Sequence, residues 1–225
     1  MNHVSQFPPA SPLLPLGQSA LATNKVLRNT YMLLSMTLVC GAIAAYASAS
    51  MHVGVINFWL YLAFALGMPM LISATRNSVW GLVSCFVYTT GLGFIAGPIV
   101  SLYARMIGPE VPIYAFAATA IIFGALTSYA MISKRDFSFM RGFLMAGFIA
   151  VLLALIANQF MHIPVLSLII SSVVVVLASA GILYSTSAAI NGGEDNYVVL
   201  AASIYADLWS MFMSLMNIIG FGSRS

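Results

Sequence analysis

One acidic residue in this 225-residue chain stands where an acid is costly. Asp207 lies in the stretch Ser203-Ile-Tyr205-Ala-Asp207-Leu-Trp209, inside an apolar run that begins near Val198. Nine residues at 1.5 Å each put it roughly 14 Å along a helix, near the middle of a bilayer. An ionised carboxylate there costs roughly 2.5–3.5 kcal/mol on insertion scales. Two kinds of chemistry relieve that cost. Asp207 can be a neutral buried acid bonded to a serine or tyrosine of a neighbouring helix, or a proton- or cation-sensitive group facing an internal pathway. No second acid lies inside an apolar run, so composition gives no support for ion selectivity by a carboxylate pair.

The other reactive side chains point to less. Asn191-Gly-Gly-Glu194-Asp195-Asn196 reads as a solvated turn whose acids suit the start of the next helix. Lys134, Arg135, Asp136 and Arg141 form a basic loop of the kind that anchors topology beside anionic headgroups. His3, His52 and His162 fall in the tail or in loops, without a partner at catalytic or metal spacing. Cys40 and Cys85 lie in apolar runs and read as small packing residues. There is no His-Glu-x-x-His, no Gly-x-Ser-x-Gly, no second acid for an intramembrane aspartyl protease, and no glycine-rich phosphate loop with a lysine. The chain is therefore expected not to be an enzyme and to use no cofactor or metal. No basic cluster is dense enough for nucleic acid.

The elements that must position Asp207 follow from composition. Charged residues are 6% of the chain and apolar residues 61%, against roughly 25% charged in a soluble domain. Such a surface fits lipid as its solvent. Seven runs are long enough to span about 30 Å of hydrocarbon: Thr30–Ser50, Val55–Ala74, Val79–Leu102, Ile113–Ser133, Phe139–Phe160, Val165–Ala189 and Val198–Phe221. They are continuous and lack period-two alternation, so they predict helices rather than barrel strands. The expected fold is an all-α membrane bundle over residues 25–225, preceded by a disordered, proline-broken cytoplasmic tail over residues 1–24. With the N-terminus inside, six Lys and Arg fall in inner segments (Lys25, Arg28, Arg76, Lys134, Arg135, Arg141) and two outside (Arg105, Arg224). That asymmetry predicts a cytoplasmic N-terminus and an external C-terminus. Gly93 and Gly97, extended by Gly91, form a small-residue face suited to close helix packing, which also permits a homo-oligomer. Pro69 and Pro98 each remove one helical bond, and Ser171, Ser172, Ser179, Ser185 and Ser187 can bond within or between helices.

Four stretches carry a resemblance: Lys25-Val-Leu-Arg-Asn-Thr-Tyr31-Met-Leu-Leu-Ser-Met-Thr-Leu38, Ser133-Lys-Arg-Asp136-Phe-Ser-Phe, Gly181-Ile-Leu-Tyr184-Ser185-Thr-Ser, and Ser203-Ile-Tyr205-Ala-Asp207-Leu-Trp-Ser-Met-Phe212. In this order and spacing the chain resembles the Bax-inhibitor family of transmembrane proteins, and within it the bacterial YccA-like branch. The resemblance implies a seven-helix bundle with the last helix central, surrounded by the other six, in a bacterial inner membrane. Members of the calcium-leak branch carry two aspartates as a pH-sensitive latch. One of those positions matches Asp207 and the other matches Ser185, so this chain keeps one half of the pair. The YccA-like branch implies a non-enzymatic regulator that binds, and is slowly degraded by, the membrane-anchored ATP-dependent protease FtsH. The tail, with Lys25 and Arg28 at its junction with the bundle, is the candidate handle for that partner. The alternative is a pH-sensitive calcium or proton leak with Asp207 on the pathway.

Overall fold

The structure is a computed structural model in which residues 16–223 are described, with side chains from Lys25 onward. These residues form seven helices: α1 (Leu16–Ser50), α2 (Phe58–Thr75), α3 (Val79–Met106), α4 (Glu110–Ser133), α5 (Met140–Met161), α6 (Pro164–Asn191) and α7 (Tyr197–Gly222), and no strand occurs among them. All seven are long and apolar enough to cross a membrane. Six helices match the expected runs closely. The seventh, α1, starts at Leu16 rather than near Thr30. Residues 16–24, expected as part of a disordered tail, are thus the polar continuation of the first helix, and Lys25 and Arg28 lie within it rather than before it. No proline falls between Pro15 and Lys25, and the intervening residues are tolerant of helix. The rest of the expected tail, residues 1–15, lies outside the described residues.

Local chemistry sets the helix ends. The side-chain oxygens of Asn57 and Ser78 accept from the amides of Trp59 and Trp80, and Asn196 Oδ1 accepts from Val198 and Val199 at 3.0 and 3.2 Å. Each satisfies an amide that the first turn leaves open. Lys134, His162 and Gly192, all at positive φ, close α4, α5 and α6.

The last helix is central: α7 packs against α1, α2, α3, α4 and α6. It is surrounded by five helices, not six. The backbone of α5 approaches α6 alone, and no residue of α5 is buried. Apart from Asn158 and Gln159 at its end, α5 is apolar beyond its first turn. Lipid solvates such a helix without any need for burial.

The closest helix pairing is α1 with α3, and it depends on glycine. A Cβ on Gly93 would run into the carbonyl of Gly41, and one on Gly97 into Ser48 Oγ and the Ala45 carbonyl. Gly91 faces the Phe64 ring of α2 instead, so the small face expected to include it is divided between two neighbours. Above Gly41 lies the Tyr205 hydroxyl, so α1, α3 and α7 meet at this point. Gly93→Val is expected to cost about 2–3 kcal/mol or to stop the folded chain accumulating, because backbone cannot yield to the added methyls. Gly67→Ala, which faces open space, is expected to be neutral or stabilising by up to about 1 kcal/mol. Reversible unfolding in mixed detergent micelles distinguishes the two.

Candidate functional site

Asp207 sits half-buried on α7, with its carboxylate over the Cα of Gly181 on α6. A Cβ on Gly181 would lie 2.5 Å from Oδ2 and 2.7 Å from Oδ1. Glycine at that position is what lets the carboxylate lie between the helices. Asp207 also lines a cavity of about 230 Å³, together with Pro69, Ile72 and Ser73 of α2, Tyr88 of α3, and Ala202 and Ser203 of α7. Asp207 makes no hydrogen bond among the described residues. Of the two arrangements open from sequence, this one is cavity-facing rather than bonded to a serine or tyrosine.

Ser185 is buried one helical turn beyond Gly181. It lies on the same face of α6 as the glycine under the carboxylate, and no hydrogen bond joins it to Asp207. Lys25 and Arg28 are exposed on α1, about one turn apart. Gly93 and Gly97 belong to the α1–α3 contact, away from the cavity. Of the candidate residues only Asp207 lines the cavity, and Ser185 is related to it only as the residue one turn beyond Gly181 on α6. The roles of Gly181, Tyr88 and Ser73 emerge only from the way the helices pack. The i, i+4 spacing of Gly181 and Ser185 was the available signal.

Two side-chain donors from α7 rest on carbonyls of α3. Tyr205 donates to the Thr89 carbonyl at 2.8 Å and Trp209 Nε1 to the Leu92 carbonyl at 2.9 Å. The Trp209 ring also stacks on Tyr61 of α2 at 5.4 Å. Asp207, between these two residues in sequence, is therefore held at fixed depth.

One end of the bundle is tied by its loops. Arg76 and Glu194 approach to 3.7 Å, and Asn196 Nδ2 donates to the Arg76 carbonyl at 2.7 Å. Ser187 Oγ donates to the Arg135 carbonyl at 2.9 Å and accepts from the Phe137 amide at 3.0 Å. Tyr31 and Thr186 share a hydrogen bond of 3.0 Å. The acidic turn is thus a docking element for the α2–α3 turn and a cap for α7. Cys40 and Cys85 are free thiols. Among the described residues no three His, Cys, Asp or Glu side chains converge as a metal site.

At the opposite end Asn217 joins three helices. Its Nδ2 donates to Ser167 Oγ at 2.9 Å and Ser171 Oγ at 2.8 Å, and its Oδ1 accepts from the Tyr103 hydroxyl at 3.2 Å. An amide inside an apolar run was a legible signal that sequence reasoning passed over.

A seven-span bundle whose central helix carries one acid beside a cavity defines a polytopic α-helical membrane protein. The chain matches the family described as "Inhibitor of apoptosis-promoting Bax1" over residues 23–224, and it belongs to that family. It is 41% identical to the "Modulator of FtsH protease YccA" of Escherichia coli K12, over 92% of this chain and 94% of that protein. The "Inner membrane protein YccA" of Escherichia coli O6:H1 matches to the same extent. A membrane protein of Vibrio cholerae is 42% identical over 90% of this chain and 92% of its own length.

The three side-chain bonds of Asn217 define a stability test. At about 0.6 kcal/mol for each interhelical bond in a membrane, Asn217→Leu is expected to cost about 2 kcal/mol. Ser171→Ala is expected to cost about a third of that, measured by the same micellar unfolding.

Proposed function

We propose that this protein is a non-enzymatic modulator of a membrane-anchored, ATP-dependent protease of the FtsH type, residing in a bacterial inner membrane. The observation that carries this reading is the 41% identity to the Escherichia coli modulator, which spans nearly the whole of both chains. The physical organisation suits the role. An ATP-driven protease needs a segment from which to begin pulling. The N-terminal residues, with Pro8, Pro9, Pro12 and Pro15, supply that segment in this reading, and the exposed Lys25 and Arg28 follow it on α1.

In the same reading, the loop-tied end of the bundle faces the cytoplasm. It carries Arg76, Lys134, Arg135 and Arg141 and receives the start of α1. The protease then meets the N-terminal segment on the side where ATP is present. Deleting residues 2–15 leaves α1 whole and is expected to lengthen the protein's cellular lifetime at least about twofold without changing membrane insertion, because it removes the engagement segment. Pulse-chase decay measures this. A truncated chain that decays as fast as the full one removes the handle from the reading.

A second reading, a cation or proton leak, is favoured by one observation: Asp207 lines a cavity instead of bonding a neighbouring helix. It predicts a pH-dependent calcium or proton flux in proteoliposomes that Asp207→Asn reduces several-fold. Equal fluxes for the two proteins exclude Asp207 from any such path.

A further inference from the structure

Many hydroxyls in the spans satisfy themselves, although those of Thr30, Thr127 and Ser133 are buried without a partner. Ser35, Thr37, Ser48, Thr75, Thr89, Thr119, Ser172 and Ser179 each donate back to a carbonyl of their own helix. The cavity beside Asp207 gathers several unpartnered groups in one place. Ser73, Tyr88, Ser203 and Asp207 line it together, and none of the four side chains makes a hydrogen bond among the described residues. Ser210, also without one, lies on the same face of α7 as Ser203 and Asp207, all three within about 60° of arc at 3.6 residues per turn.

This polar strip is reachable from the side. The helices α2 and α6, which flank it, do not touch each other along their backbones. Ser203 is exposed, and Asp207 and Ser210 are half-buried. Hydrocarbon cannot supply the missing partners, and an unpaired polar group in lipid is costly.

We propose that this cleft between α2 and α6 is a docking site for a transmembrane helix of another protein, one that presents a hydrogen-bond-donating amide or basic side chain at mid-membrane to Asp207. A cavity of about 230 Å³ has room for one such side chain but not for a helix backbone, so the partner helix lies against the rim and inserts a single residue. A second copy of this chain does not qualify. None of the seven spans carries Lys, Arg, His, Asn or Gln near its middle. The nearest candidate, Asn217, already has its amide on Ser167 and Ser171. The acceptor is therefore in this chain and the donor must come from a different one. This site goes beyond the protease reading and does not depend on which partner the N-terminal segment engages.

The test uses the full chain with Cys40→Ala and Cys85→Ala, reconstituted in phospholipid vesicles with Ser203→Cys on the rim. Two synthetic leucine-alanine helices, with Gln or Leu at the centre and a cysteine one turn away, are added under mild oxidation. The expected result is a disulfide yield at least fivefold higher with the Gln helix. That preference is expected to persist in Asp207→Asn, to vanish in Asp207→Ala, and not to appear for Phe148→Cys on the lipid face of α5. If Asp207→Ala does not fold, the pair Ser73→Ala and Tyr88→Phe, which deletes only unbonded hydroxyls, replaces it and is expected to halve the yield at least. Equal yields from the two helices, or a preference that survives these substitutions, overturn the site. So does rapid reaction of Ser203→Cys with a membrane-impermeant thiol reagent in the absence of any helix, which would mean that water already occupies the cleft.

Discussion

Two hydrogen bonds fix the central helix, and most of the bundle follows from them. Tyr205 and Trp209 reach from α7 to the carbonyls of Thr89 and Leu92 on α3, in a region with no water to compete for those acceptors. The bond to Thr89 is possible because Gly41 and Gly93 bring α1 and α3 together beneath the tyrosine hydroxyl. Removing the side chains at that crossing creates the space in which the hydroxyl and the two backbones meet. The depth of Asp207, between the two donors, is a consequence of where those bonds lie.

The same logic explains why polar atoms occur in three separate places. At the loop-tied end, Ser187, Asn191, Asn196 and Arg76 share backbone and side-chain acceptors across four helix ends. The Arg76–Glu194 contact is half-exposed and contributes about 0–1 kcal/mol as an ion pair. Its amide neighbours, which bond directly to backbone, do more to hold the turns together. At the far end Asn217 performs an equivalent task with one side chain. The middle of the bundle has no such closed network: beside the Tyr205 and Trp209 bonds to α3 lie an acid and several unbonded hydroxyls around a cavity.

The number and limits of the spans were legible because hydropathy alone sets them, and a continuous apolar run in lipid has one low-energy conformation. The start of α1 was not legible, since a polar helical extension and a disordered tail have the same hydropathy. Gly93 and Gly97 announced a close contact by spacing, but spacing does not say which helix is on the other side, and Gly91 faces a different one. Asp207 stood out by charge. Its seat on Gly181 was hidden because it joins two helices, and pairing between helices leaves no periodic trace in either. The peripheral place of α5 was hidden too: a resemblance to a family gives a topology, not the number of neighbours each helix has.

That peripheral helix has a consequence for how the sequence can change. Only α6 approaches its backbone, and the Phe160 ring touches Trp59 at 6.2 Å. Elsewhere α5 is matched to acyl chains, which conform to any shape presented to them. Leucine, isoleucine, valine and phenylalanine are nearly interchangeable to such a solvent, so α5 is free to drift within hydrophobicity while α7 is held residue by residue. Mutational tolerance in this molecule should therefore be graded by distance from α7, not by distance from either membrane surface.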